Sequence, residues 1–212
     1  MPDAATPSQL EQLLQHPALW RGRSAAVHEI WASGFAALDQ ALPGGGWPRT
    51  GLIELLIPRH GLGELRLWMP LLATLTQSVV ARWCAFVAPP FELFAPAYAA
   101  RGVRLDKLLI VRAPQPLWAL EQTLLSGACD LSFCWLERAQ PRDLRRLTLA
   151  TEQGRTPAVI FRPLTAERES SPAALRIAIE AGPEETGLRL RFIKSRGGKR
   201  GVVDLAPDGV PD

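Results

Sequence analysis

Gly61 and Gly63 stand in the segment Pro58-Arg-His-Gly-Leu-Gly63-Glu64-Leu65, between an apolar run and a helix-like stretch. That is where a phosphate-binding loop of the form G-x-x-x-x-G-K-[ST] belongs. Its backbone N–H groups would cradle phosphates, its Lys would reach the β- and γ-phosphates, and its hydroxyl would hold Mg²⁺. Here Pro58 occupies the place of the first glycine, Glu64 that of the lysine and Leu65 that of the Ser/Thr. A carboxylate would face a triphosphate that is itself strongly anionic, and no hydroxyl remains for the metal. The slot, Pro58, Gly61, Gly63, Glu64 and Leu65, reads as a degenerate nucleotide site. No cofactor and no ATP hydrolysis are expected from it.

The elements around this slot are legible as short apolar runs. Gly51-Leu-Ile-Glu-Leu-Leu-Ile57 predicts a buried strand, and residues from Leu65 to about Ser78 a helix. Strands are expected at Trp83–Ala88, Leu108–Val111, Leu131–Leu136 and Ala158–Phe161. Helices are expected within 89–101, over Leu117–Leu125 and over Pro141–Glu152, with Gly102 and Gly127 as C-terminal caps. Short strands alternating with ~10–15-residue helices predict a mainly parallel sheet flanked by helices. Towards the end the period changes to two. Leu175–Glu180 and Leu188–Ile193 alternate apolar with polar residues around Gly182–Gly187, the pattern of an antiparallel hairpin at the sheet edge. Upstream, Ser33 is a candidate helix cap, Pro43–Pro48 a turn, and Ser8–Gln15 a short helix ended by His16-Pro17. The organisation expected is an N-terminal helix and linker over 1–28, a core over 29–196, and a basic, flexible tail over 197–212.

Bulk properties narrow the function classes. The chain has 212 residues, 47% of them apolar, which suits one domain with an ample core. No apolar run reaches the ~18–20 residues of a membrane span; Arg66, Pro70 and Arg82 interrupt the longest. The first residues lack the charged-then-apolar pattern of a signal peptide, so the cytoplasm is the expected location. Cys84, Cys129 and Cys134 have no C-x-x-C spacing and read as small buried hydrophobes, and His16, His28 and His60 are scattered, so no metal site is expected. Net charge is only +3, but Arg189, Arg191, Lys194, Arg196, Lys199 and Arg200 crowd a short stretch. That stretch is either a patch for an acidic partner such as nucleic acid or a solvated strand end and loop. Of the seven tryptophans, most sit in predicted elements and read as core. Trp47, in a glycine turn, and Trp20, in a linker, are the candidates for partner-binding anchors.

The order of parts resembles the opening of the RecA/Rad51 recombinase core. Ser33-Gly-Phe-Ala-Ala-Leu-Asp39 and Gly44-Gly-Gly-Trp-Pro48 lead into Gly51-Leu-Ile-Glu54 and the loop. Phe86-Val-Ala88 followed by Ala97–Leu109 is similar to the segment after the recombinase's second strand. Within that superfamily the degraded loop, the tryptophans and the ending Arg191-Phe-Ile-Lys-Ser-Arg-Gly-Gly-Lys-Arg200 resemble the ImuA family of translesion-synthesis accessory proteins. Phe161-Arg-Pro163 after the fifth strand resembles both ImuA and the division inhibitor SulA.

The resemblance implies a RecA-like P-loop core and a place in the damage-induced (SOS) response. A catalytic Glu should follow the second strand, where this chain has Pro89-Pro90-Phe91 with Glu92 a little later. A metal-side Asp should end the fourth strand, where Glu137 stands. The two DNA-binding loops map to about Arg138–Arg142 and Arg162–Ser171, both short. Arg142, Arg145, Arg146 and Arg162, with Lys194, Arg196, Lys199 and Arg200, are the expected nucleic-acid contacts. Lys194-Ser-Arg196 resembles the recombinase motif that reaches a neighbouring protomer's nucleotide. The implied partners are an inactive Y-family polymerase homologue of the ImuB type and, through it, an error-prone C-family polymerase, with DNA or the RecA filament as further contacts. Two other functions follow from the same resemblance: a SulA-like inhibitor of the tubulin-like division protein, or a divergent DNA-dependent ATPase using Glu64, Glu92 or Glu137.

Overall fold

The computed structural model describes residues 29–184, 187–195 and 201–206. The expected helix at Ser8–Gln15 and the residues Trp20, Arg196, Lys199 and Arg200 lie outside the described residues. A two-stranded ribbon, β1 (Ile30–Trp31) with β2 (Trp47–Pro48), brackets a short helix α1 (Ala36–Asp39). The main sheet begins with β3 (Leu52–Ile57) and the helix α2 (Met69–Gln77). β4 (Trp83–Val87), α3 (Ala95–Ala99), β5 (Leu108–Val111) and α4 (Pro116–Leu125) follow, then β6 (Cys129–Trp135), α5 (Pro141–Gln153) and β7 (Ala158–Pro163). The chain closes the sheet with β8 (Leu175–Ala181), β9 (Leu188–Ser195) and β10 (Val202–Leu205).

The strand order is β10-β9-β8-β3-β7-β6-β4-β5. From β8 to β5 every neighbouring pair is parallel, while β9 and β10 run antiparallel to their neighbours. The expected mainly parallel sheet with a terminal hairpin is what forms. One strand of this main sheet was not foreseen, nor was the ribbon of β1 and β2. Val202–Leu205, inside the stretch read as a tail, pairs with Leu188–Arg191 and becomes the sheet's outer edge.

Both faces of the sheet are covered, as a parallel sheet requires. On one face Leu131, Phe133 and Trp135 of β6 join Phe86, Phe161, Ile177 and the helices α1 and α2 in the larger core cluster. On the other, Cys134 and Leu136 meet α4 and α5 through Leu120, Leu124, Leu144 and Leu147. The alternation of successive residues between these clusters is the two-residue period of a strand seen from both sides. Within the larger core Phe86 stacks on Phe133 at 4.8 Å between ring centroids, and Trp135 on Phe161 at 4.8 Å.

Three local expectations are corrected. The helix expected from Leu65 is a 3-10 turn over Glu64–Trp68, and α-helix begins only at Met69. Pro70 supplies the reason: it lacks an N–H and fits the first turn of an α-helix, not its interior. Ser33 does not cap α1. Its Oγ accepts from the Phe35 N–H at 3.1 Å, and its own N–H donates to Asp39 Oδ1 at 2.8 Å, forming a turn ahead of the helix. Trp47 is no surface anchor. Pairing with Trp31 in the ribbon turns its ring inward, fully buried, to stack on Trp68 at 4.2 Å.

Candidate functional site

The loop after β3 keeps its glycines for conformation. Gly61 and Gly63 have φ of 79° and 95°, in the left-handed region, yet a Cβ on either would meet nothing within 4 Å. They turn the chain; they do not clear space for a close approach. Glu64 is only 4% exposed. Its Oε1 accepts from the Gly61 N–H at 3.3 Å, so a loop donor of the kind a phosphate would use is already turned to a carboxylate. Its other oxygen, Oε2, is buried with no hydrogen-bond partner.

Glu64 lines a hollow of 280 Å³ together with Gly61, Gly63, Leu65, Met69, Pro89, Pro90, Phe91, Glu92, Leu93, Phe94, Tyr98 and Trp135. Its walls are aromatic: Phe91 and Phe94 are 64% and 70% exposed, while Tyr98 and Trp135 are buried. The Tyr98 hydroxyl and the Trp135 indole N–H are also buried and unpartnered. Burial, and then the charge of Glu64, push the Tyr98 phenol up to about 12. Glu92 also lines the hollow. It is exposed and held by both its oxygens to Arg112, at 2.6 and 2.7 Å. Glu137, likewise exposed, lies 3.6 Å from His60 Nε2.

A larger cavity of 650 Å³ opens at the carboxyl end of β6, between the first turns of α4 and α5. Trp118, Glu121, Glu137, Arg138 and Arg146 line it, and Trp118 is 59% exposed. Of the arginines expected on α5, Arg146 lines this cavity. Arg142 and Arg145 are exposed, and Arg146 is clamped to Glu121, with Nε donating to Oε1 at 3.2 Å.

The two other expected nucleic-acid contacts that lie among the described residues, Arg162 and Lys194, do not join them. Arg162 is 1% exposed and belongs to the interior. Its guanidinium donates to Glu54 Oε1 at 2.7 Å and to Glu169 Oε2 at 2.6 Å. Lys194, on β9, donates to the Ser171 carbonyl at 2.8 Å. The stretch expected to be a second DNA loop is instead tied down by inward contacts. It forms a 3-10 turn, Leu164–Arg168, in which the Ala166 carbonyl accepts from Arg176 at 2.9 Å and Glu167 holds Arg191 at 2.6 and 2.8 Å.

Glu54 was the residue that sequence reasoning passed over. It lies in the middle of an apolar strand with β7 and β8 on either side. Arg176 is its direct partner on β8, and Arg162 lies opposite Leu56 on β7, one alternation along the same face. The result is a buried Arg162–Glu54–Arg176 triad. The signal was present for two of the three: single charges inside the otherwise apolar strands β3 and β7, one negative and one positive. Buried charges persist only when paired.

No family model matches the chain. Among curated proteins it is 30% identical over 148 residues to "Cell division inhibitor SulA" of Pectobacterium carotovorum subsp. carotovorum, covering 68% of this chain and 86% of that protein. It is 30% identical over 149 residues to the protein of the same description from Pectobacterium atrosepticum, covering 68% and 87%. Among solved structures, SulA from Pseudomonas aeruginosa aligns with a TM-score of 0.45 and 24% identity, covering 53% of this chain and 97% of that one. With that identity extending over most of the length of both Pectobacterium relatives, the chain belongs to the SulA family.

Proposed function

We propose that this chain is a non-enzymatic protein of the bacterial DNA-damage response that inhibits cell division by binding another protein. The observation that carries this reading is the 30% identity over 86–87% of the length of two proteins described as cell division inhibitors. The geometry of the loop after β3 supports the non-enzymatic half. Glu64 stands where a nucleotide site needs a lysine, and its carboxylate already takes the Gly61 N–H. Charge neutralisation and metal placement dominate phosphoryl transfer, and the two positions that would supply them hold Glu64 and Leu65. The tubulin-like division protein is the target that this reading implies. Induced expression in a heterologous bacterium, scored by cell length, tests it. Filaments support the reading; normal division with the protein accumulated intact defeats it.

A second reading has its own observation. The matched region covers 68% of this chain, and the recombinase-like lead-in Ser33–Asp39 and Gly44–Pro48 is a feature the division-inhibitor reading does not use. On this reading the fold is a RecA-like core that serves as an ImuA-type adaptor. It docks an inactive Y-family polymerase homologue and, with an error-prone C-family polymerase, acts at damaged DNA. Arg142, Arg145 and the cavity beside Arg146 would then supply the exposed basic surface. Co-purification with such a polymerase homologue, without filamentation, selects this reading over the first.

A further inference from the structure

The hollow beside the loop after β3 holds a combination the readings above leave unused. Three residues that line one 280 Å³ hollow carry a polar group buried without a partner: Glu64 Oε2, the Tyr98 hydroxyl and the Trp135 indole nitrogen. Around them are the rings of Phe91, Phe94, Tyr98 and Trp135. We propose that this hollow is a receptor for the ammonium group of a lysine side chain presented by a partner protein.

Charge complementarity selects the ligand. Two of the lining residues, Glu64 and Tyr98, carry an acceptor oxygen without a partner, one on a carboxylate and one on a phenol. Aromatic faces attract cations through their quadrupoles, more strongly where water is excluded. An anion is excluded by Glu64. A neutral apolar side chain would leave the carboxylate oxygen buried and unsatisfied, which is unfavourable.

Ammonium is favoured over guanidinium by the state of the carboxylate. Arginine binds carboxylates best through two parallel hydrogen bonds. Here Oε1 is engaged by the Gly61 N–H, leaving only Oε2. A point charge with three rotatable donors matches one carboxylate oxygen and one phenol oxygen. The lysine's methylene stem would lie along Phe91, Phe94 and Leu93 at the mouth, as long charged side chains bury their stems on apolar surface. The polarity of the slot is thus opposite to that of a phosphate loop. This inference stands apart from the identity of the partner, so it does not rest on either reading of the function.

Ligand-observed NMR on the full chain tests it, with Nα-acetyl-lysine amide as probe and the norleucine and arginine counterparts as comparisons. The lysine probe is expected to bind at least about tenfold more tightly than norleucine, the scale of a cation–π contact with a charge-assisted hydrogen bond. Glu64→Gln keeps an acceptor for Gly61 and removes the charge, and should weaken lysine binding by about tenfold or more. Tyr98→Phe removes only the hydroxyl, and should weaken it about threefold to tenfold with the fold retained by circular dichroism. This second variant carries the test if Glu64→Gln does not fold. Equal binding of lysine and norleucine, tighter binding of the arginine probe, or undiminished lysine binding in folded Glu64→Gln or Tyr98→Phe each overturns the proposal.

Discussion

Replacing Glu54 by glutamine should destabilise the fold far more than removing any surface ion pair. The carboxylate is fully buried, and its two partners, Arg162 and Arg176, have side chains only 1% and 6% exposed. Glutamine preserves shape and one acceptor, so no large cavity contributes. What changes is that two desolvated guanidiniums lose their shared counter-charge. Arg162 keeps Glu169, whose carboxylate is half exposed, and Arg176 keeps only the carbonyls of Ala166 and Glu167. Breaking a buried pair from one side costs about 3–5 kcal/mol, because the remaining charge stays buried. Against a total stability of about 5–15 kcal/mol, that is a large fraction.

Urea denaturation followed by tryptophan fluorescence gives the measurement. With a slope of about 2–3 kcal/mol/M for a chain of this size, the midpoint should fall by about 1–2.5 M at unchanged slope. The triple variant Glu54→Leu, Arg162→Met, Arg176→Leu separates charge from packing. Exchanging a whole buried ion cluster for apolar side chains of similar volume is often neutral or stabilising. Its midpoint should lie above that of Glu54→Gln. A fall of less than about 0.4 M for Glu54→Gln, equivalent to about 1 kcal/mol, would refute the reasoning. So would a triple variant less stable than the single one.

Three other outcomes follow from the same geometry. Glu64→Lys with Leu65→Thr should not create phosphate release from ATP with single-stranded DNA, because Pro58 and the 3-10 turn over Glu64–Trp68 remain. A DNA-stimulated rate in the unaltered chain that Glu64→Ala removes would establish the ATPase instead. Trp47→Ala should cost about 3–5 kcal/mol by urea unfolding, since its fully buried ring stacks on Trp68; a loss below about 1 kcal/mol would contradict the buried stack. Burial pushes the Cys84 and Cys134 thiols up to about 12, so both should resist a thiol reagent at pH 8 until denaturant is added. Rapid labelling of either in the native protein would show that its strand opens locally.

The sheet was legible because its strands are short, nearly uninterrupted apolar runs separated by helix-length segments. Parallel strands covered on both faces produce that pattern. What escaped reading was long-range pairing. Trp47 looked like a surface residue because Gly44-Gly-Gly-Trp-Pro48 has the composition of an exposed turn. Its burial comes from pairing β2 with β1 across α1, which local composition does not encode. Arg162 looked like a strand-end contact for DNA, and its true partner, Glu54, lies far away in the chain on an adjacent strand. Val202–Leu205 is too short to stand out from the glycine and basic residues before it, and its pairing depends on a free edge of β9. The hollow beside Glu64 was half legible. The charge reversal at the lysine position was plain from the loop, whereas Tyr98, Phe94 and Trp135 reach it only through the fold.

Glu54 and Glu64 flank the same loop and show two ways a fold can hold a buried carboxylate. Glu54 is matched by two guanidiniums, and its environment is closed. Glu64 has one oxygen matched by a loop N–H and one with no partner, beside a phenol and an indole equally unsatisfied. Each unsatisfied buried group costs about 1–3 kcal/mol. Three together at an isolated defect would be a heavy burden on a marginally stable domain. The burden is lighter where a ligand supplies the missing partners, because binding then recovers what folding left unsatisfied. The two acceptors among them, the Glu64 oxygen and the Tyr98 hydroxyl, belong to residues lining one aromatic-walled hollow and match a cation that donates to both, whereas the indole N–H is not matched by an ammonium. A nucleotide slot that had merely lost its lysine and its hydroxyl would need neither acceptor.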